Sequence, residues 1–159
     1  MRRYTRKKKT GAVKSKKKTI DGITFASSLE AYTYTKLKEE GIDFEYEGES
    51  FELLPSFKFL GTYLSSSPKK KELTDKTGKA IRAITYTPDF VSHTEKFIIE
   101  TKGFVPSNHS FPLRWKLFLK YLKDNNMEDY QVFLPKNQGQ VNDLITIIKD
   151  GQREPKLFE

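Results

Sequence analysis

Hydrophobic and polar positions along the chain change period several times, and each change marks an element. Leu29, Tyr32, Thr33 and Leu37 recur at helical spacing over residues 29–40, with Ser27 or Ser28 placed as cap and Gly41 as stop. Ile42, Phe44 and Tyr46 then alternate with Asp43, Glu45 and Glu47, the period of two that belongs to a half-buried strand. Residues 22–25 read as a short extended lead-in, and residues 51–54 and 57–60 as strand pieces around Pro55. Residues 65–80 are polar and rich in turn formers, which predicts an exposed loop or hairpin tip. Two β-rich runs follow, 81–91 and 96–102, separated by a short turn at 92–95. Pro106 and Pro112 bracket a loop, and the pattern then predicts a helix over 113–123 and a strand over 130–134. Val141, Leu144, Ile145 and Ile148 share one face of a last helix over 141–149. No internal repeat is visible. The order predicts an α/β fold, a mixed sheet flanked by helices.

Composition narrows this picture. A chain of 159 residues with 36% hydrophobic positions supports one modest core. One domain is therefore expected over residues 19–150, with short tails at 1–18 and 151–159. The absence of cysteine excludes a disulfide framework, a thiolate metal site and a thiol nucleophile, and fits a reducing cytosol. No apolar run approaches the roughly 18 residues needed to span a bilayer, so no membrane partner is expected. The basic start has no hydrophobic segment behind it, so a secretory signal is not expected either.

The net charge of +8 is unevenly placed. Residues 1–18 hold ten basic side chains (among them Lys7, Lys8, Lys9, Lys16, Lys17 and Lys18) and no acidic one, leaving nineteen basic against twenty-one acidic elsewhere. Such a block repels itself and buries nothing, so a disordered basic arm is expected. Its favoured reading is an arm that grips nucleic-acid phosphates without reading sequence. A solubilising tail and attraction to anionic lipid remain the alternatives. Lys69, Lys70 and Lys71 pose a similar choice between DNA contact and solvated surface.

Candidate chemistry lies in residues 85–103. In a strand reaching Lys102, Ile98, Glu100 and Lys102 share one face, while Phe97, Ile99 and Thr101 share the other. Glu100 and Lys102 are then about 6.6 Å apart along the strand. The apolar run before Glu100 marks a central strand, and Gly103 after Lys102 allows close backbone approach. The turn at 92–95 returns the chain antiparallel and brings Asp89 beside Glu100, with Pro88 breaking the ladder next to it. Two carboxylates and a lysine are what metal-assisted phosphodiester hydrolysis asks for, a hard divalent cation being held by the acids. The bland alternative is a surface ion pair between Glu100 and Lys102 with Asp89 a mere strand end. Glu30 has its own bland role, closing a capping box on Ser27.

The segments FASSLE, IDFEYE, TYTPDF and IIETKG resemble the phage endonuclease I family of Holliday-junction resolvases, over about residues 23–104. The layout from GITFASSLEAY through FELLPSF, KAIRAITYTPDF and IIETKGF to LRWKLF is still more similar to a family of short phage proteins catalogued as a domain of unknown function, over about residues 22–118. Both groups are assigned to the PD-(D/E)xK nucleases. The resemblance implies a restriction-endonuclease-like fold and a DNA endonuclease dependent on Mg2+, with Mn2+ as substitute. It implies Glu30, Asp89 and Glu100 as metal carboxylates, Lys102 as catalytic lysine, and Arg114 and Lys116 on a basic helix that meets phosphate. Trp115, Leu117, Phe118 and Leu119 show that this helix also packs, which leaves its basic residues free to be plain surface. His93 and His109 match nothing and read as polar loop residues.

The implied substrate is branched DNA in phage recombination or replication, within the cytoplasm of an infected or lysogenic host. Paired nicks imply a homodimer. The segment over 55–79 is longer here than in endonuclease I, and the chain beyond Gly103 diverges. A nicking, flap or terminase-assisting nuclease and a non-catalytic nucleic-acid-binding protein are the rivals.

Overall fold

The computed structural model describes residues 17–102 and 110–153. In chain order they form β1 (Lys18–Ile20), β2 (Ile23–Phe25), α1 (Ser28–Glu39), β3 (Glu45–Tyr46), β4 (Phe51–Leu54), β5 (Phe57–Lys58), β6 (Leu64–Ser65), β7 (Thr74–Asp75), β8 (Ala80–Ile81), β9 (Ile84–Tyr86), β10 (Phe90–Ser92), β11 (Phe97–Ile99), α2 (Phe111–Asp124), β12 (Gln131–Phe133) and α3 (Gln138–Arg153). The fold is mixed α/β, with three helices and several small sheets among the described residues. None of these helices is long and apolar enough to cross a membrane.

A four-stranded sheet ordered β12-β11-β10-β3 is the centre. β10 pairs antiparallel with β3 and β11, while β11 pairs parallel with β12. The run Phe97-Ile98-Ile99 takes an interior strand because both its faces are covered. Phe97 and Ile99, with Phe90, pack toward Leu37 of α1, Leu144 and Ile148 of α3 and Phe25 of the β1–β2 hairpin. Ile98, with Val91, packs on the other side against Phe118 and Leu122 of α2, Phe51 and Tyr86. Burying each such side chain contributes about 2 kcal/mol.

α1 starts where Ser27 accepts a hydrogen bond from the Glu30 amide at 3.1 Å, as its capping position predicts. It stops where Gly41 takes φ +67°, letting the Ile42 amide reach back to the Leu37 carbonyl at 3.0 Å. Its buried face differs from the expected stripe. Ala31, Thr33, Tyr34 and Leu37 are buried, and Leu29 and Tyr32 only flank the core.

The pairs β4–β9, β5–β8 and β6–β7 are successive rungs of one antiparallel ribbon, from Phe51↔Tyr86 at its root to Ser65↔Thr74 near its tip. The turn-rich stretch 65–80 is the end of that ribbon. Other boundaries move. Of the expected strand at 42–46 only Glu45–Tyr46 pairs, Lys18 already lies in β1, and α3 continues to Arg153. α3 begins earlier than expected because the Asn137 side chain caps the Gln140 amide at 3.0 Å.

Candidate active site

The ladder of β11 ends at Ile99, yet the chain stays extended past it. The Glu100 amide donates to the Phe133 carbonyl at 3.0 Å and the Lys102 amide to the Pro135 carbonyl at 2.9 Å. Side-chain alternation therefore continues, and Glu100 and Lys102 open on the α2 side of the sheet, in line with Ile98. Lys102 Nζ lies 3.4 Å from Glu100 Oε1 and 4.0 Å from the centroid of the Phe111 ring. That second contact is a cation–π position.

Asp89 precedes β10, and the register Phe90↔Ile99 sets it across from Glu100. Pro88, fully buried, has no amide hydrogen to give the ladder. The Asp89 carboxylate fills the break. Its Oδ2 accepts from the Thr101 amide at 2.7 Å and from the Thr101 hydroxyl at 2.6 Å, while the Asp89 carbonyl accepts from the Glu47 amide at 2.9 Å.

Burial, then the negative charge of Glu100, pushes the Asp89 carboxyl up to about 7; the Thr101 donors oppose this and Glu30 adds to it. Burial also raises Glu100, which is only 6% exposed, with Tyr86 and Lys102 opposing. Near neutral pH the pair resists carrying two full charges, the condition of adjacent carboxylates that share a site. The buried Tyr86 hydroxyl lies against Glu100 without a hydrogen bond of regular geometry, and burial raises its pKa well beyond the phenol range. A cleft of about 320 Å³ opens here, lined by Tyr86, Glu100, Lys102, Ser110, Phe111 and Arg114 among others.

Glu30 is placed differently. Its Oε1 accepts from the Ser27 hydroxyl at 2.7 Å, and its Oε2 from the Ala26 amide at 3.1 Å and the Tyr46 hydroxyl at 2.9 Å. It caps the start of α1 through the Ala26 amide rather than the Ser27 amide that a capping box uses, and its charge reaches Asp89. Among the described residues, no three His, Cys, Asp or Glu side chains gather closely enough to hold a metal ion.

A family model described as "Protein of unknown function (DUF1064)" matches residues 9–139, most of the chain. The chain belongs to the DUF1064 family. No curated protein and no solved structure matches it.

The DUF1064 match contains Glu30, Asp89, Glu100, Lys102, Arg114 and Lys116. The fold gathers Glu100, Lys102 and Arg114 at the cleft, sets Asp89 beside Glu100, and leaves Lys116 out, exposed on another side of α2. Trp115 and Phe118 do pack as expected, while Leu117 is half-buried and Leu119 is 41% exposed. Lys17 and Lys18 are exposed at the start of the β1–β2 hairpin; Lys7, Lys8, Lys9, Lys16, Gly103 and His109 lie outside the described residues. His93 stands at the far end of β10 from Asp89, bonded to Tyr130 and Glu49 at 2.7 and 2.8 Å. Sequence reasoning does not single out Tyr86, Thr101 or Phe111. The signal for Thr101 is its place between Glu100 and Lys102 on the opposite face; Tyr86 and Phe111 give none.

Proposed function

We propose that this DUF1064 protein is a metal-dependent DNA endonuclease with a restriction-endonuclease-like core. The observation that supports this most is the half-buried Asp89 across from the buried Glu100, Asp89 raised by burial and by the charge of Glu100, and Glu100 raised by burial beside Lys102 at an open cleft. Two carboxylates kept in that state attract a cation, and an all-oxygen donor set suits Mg2+ or Mn2+. Both Thr101 donors take Asp89 Oδ2, so Oδ1 remains for a metal. Asp89 and Glu100 would hold the ion, with Glu30 as an outer carboxylate acting on Asp89. When bound, the ion lowers the pKa of a water and neutralises charge on the scissile phosphate.

The other roles belong to the chain. Lys102, held between Glu100 and the Phe111 ring, orients the attacking water or stabilises charge developing on the phosphate oxygens. Arg114, at the cleft rim, binds a neighbouring phosphate. The reaction leaves a 5′-phosphate and a 3′-hydroxyl. The substrate is branched DNA, such as a four-way junction or fork, cut by a homodimer in the host cytoplasm during phage recombination or replication.

The test is incubation of EDTA-treated protein with labelled four-way-junction and matched duplex DNA, with and without Mg2+ or Mn2+. Metal-dependent cleavage, faster on the junction, is expected. Equal rates on duplex would remove the junction selectivity, and binding without cleavage in either metal would remove the nuclease.

A further inference from the structure

The ribbon β4–β9 leaves the body at the cleft and has no core of its own. From residue 54 to residue 82 no side chain is buried, on either strand. Its registers nevertheless nest from Phe57↔Ile81 to Ser65↔Thr74, with the Lys76 amide on the Tyr63 carbonyl at 2.7 Å and the Gly78 amide on the Phe59 carbonyl at 2.9 Å. At about 3.3 Å per residue the stretch from 54 to 65 reaches at most about 36 Å, roughly one turn of B-DNA. A two-stranded ribbon alone in water is marginal, and exposed apolar side chains on it mark a contact surface.

Those side chains are abundant. Phe57 is 44% exposed, Phe59 49%, Leu60 79% and Tyr63 43%. A Cβ on Gly61 would meet the Phe59 ring at 2.6 Å, so glycine lets that ring fold back over the ribbon. Charge is equally one-sided. Residues 55–83 carry seven basic side chains (Lys58, Lys69, Lys70, Lys71, Lys76, Lys79 and Arg82) against Glu72 and Asp75, a net of +5. Outside this ribbon and the first eighteen residues, twelve basic side chains face nineteen acidic ones, a net of −7. The body repels a polyanion and the ribbon attracts it.

We propose that the ribbon over residues 55–83 is a DNA-docking arm, its lysines on phosphates and its exposed aromatic rings against bases or sugars. A two-stranded ribbon fits the major groove. A second copy of the same arm is the poorer occupant, since pairing would set +5 against +5. The root strand ties the arm to the chemistry, because β9 supplies Thr85 and Tyr86 to the cleft. The proposal rests on the reading of DNA as substrate, but its test needs no cleavage.

Binding of the full chain to a fluorescent duplex of about 30 base pairs, long enough for roughly three turns, is measured by anisotropy in EDTA at several salt concentrations. Joint replacement Lys69→Ala, Lys70→Ala, Lys71→Ala and Lys79→Ala is expected to weaken binding at least about tenfold. It should also flatten the slope of log affinity against log salt by about 0.9 for each phosphate that the variant no longer neutralises. Phe59→Ala with Tyr63→Ala should weaken binding several-fold and leave that slope unchanged. These positions are unburied, so melting temperatures should match wild type. Unchanged affinity and slope in the lysine variant would overturn the arm while leaving the nuclease reading standing. Ribbon-dependent binding without cleavage in Mg2+ or Mn2+ would do the reverse. A ribbon variant that alters only sedimenting mass would make the surface a protein interface and also overturn the proposal.

Discussion

Glu30, at the head of α1, and the pair Asp89 and Glu100, just before β10 and just beyond β11, are carboxylates in opposite circumstances, Glu30 and Glu100 buried and Asp89 half-buried. Glu30 receives three donors on its two oxygens, from Ser27, Ala26 and Tyr46. Asp89 receives two donors from Thr101, yet is still raised by burial and by Glu100. Glu100 is raised as well, although Lys102 stands beside it. Burial alone therefore does not mark a reactive acid. A carboxylate matched by donors holds the chain in place, while a pair left facing each other keeps an uncompensated charge that a cation relieves.

The largest expected effect is on rate. Asp89→Asn or Glu100→Gln should each lower metal-dependent cleavage by at least about 10³-fold, since the ion's several kcal/mol of charge stabilisation would be lost. Initial rates on the junction substrate check this. Glu30 should behave otherwise. Glu30→Ala removes a cap and should destabilise by about 1 kcal/mol, lowering Tm by roughly 2–4 °C in a chain of this size. Asp89→Asn, by contrast, should raise the Tm of metal-free protein. Opposite signs in one thermal-denaturation series would sustain the contrast, and equal signs would break it. The smallest effect separates two neighbours on α2. Arg114→Ala should raise KM several-fold with little change in kcat, and Lys116→Ala should change neither, because only Arg114 lines the cleft.

Much of this is legible in sequence where one local rule acts alone. The alternation through Phe97, Ile98 and Ile99 carries on to Glu100 and Lys102 because both amides find carbonyls on the chain at and beyond the end of β12. Ser27 and Gly41 bound α1 by capping and left-handed geometry, as their types require. Residues whose role depends on distant partners are hidden. Tyr86 reaches Glu100 only through the pairing of β9 with β4 and their packing on α2, and Phe111 reaches Lys102 only from a helix that starts before the expected residue 113. The buried stripe of α1 is half right in the sequence reading, Thr33 and Leu37 being buried as expected, but it misses Tyr34 and overrates Tyr32 because tyrosine tips find polar partners outside the core. The Tyr34 hydroxyl reaches Asp21 at 3.1 Å while its ring enters the core, and Tyr32 turns its hydroxyl to Asn142 at 2.9 Å. Polarity at one end of a side chain conceals burial at the other. The ribbon's strand pieces are visible singly, but their nesting into one arm is a non-local pairing.

The pH dependence of stability carries the same contrast. Asp89 has a folded pKa near 7, above its ordinary value of 3.8, so folding takes up a proton between those values. Its contribution is fully present below about pH 4 and lost as pH rises through about 7. Allowing for partial exposure and coupling with Glu100, the cost at pH 8 is about 2 kcal/mol, or roughly 4–8 °C in Tm. A divalent cation on the pair offsets it, and the amide of Asp89→Asn removes it.

The most direct measurement is therefore the melting temperature at pH 8 of wild type and Asp89→Asn, each in EDTA and in excess Mn2+. With a metal site on Asp89 and Glu100, Mn2+ raises wild type by several degrees, the variant melts higher than wild type in EDTA, and Mn2+ does not move the variant. Equal Mn2+ shifts in both proteins, or none in wild type, would contradict a metal site built on Asp89 and Glu100.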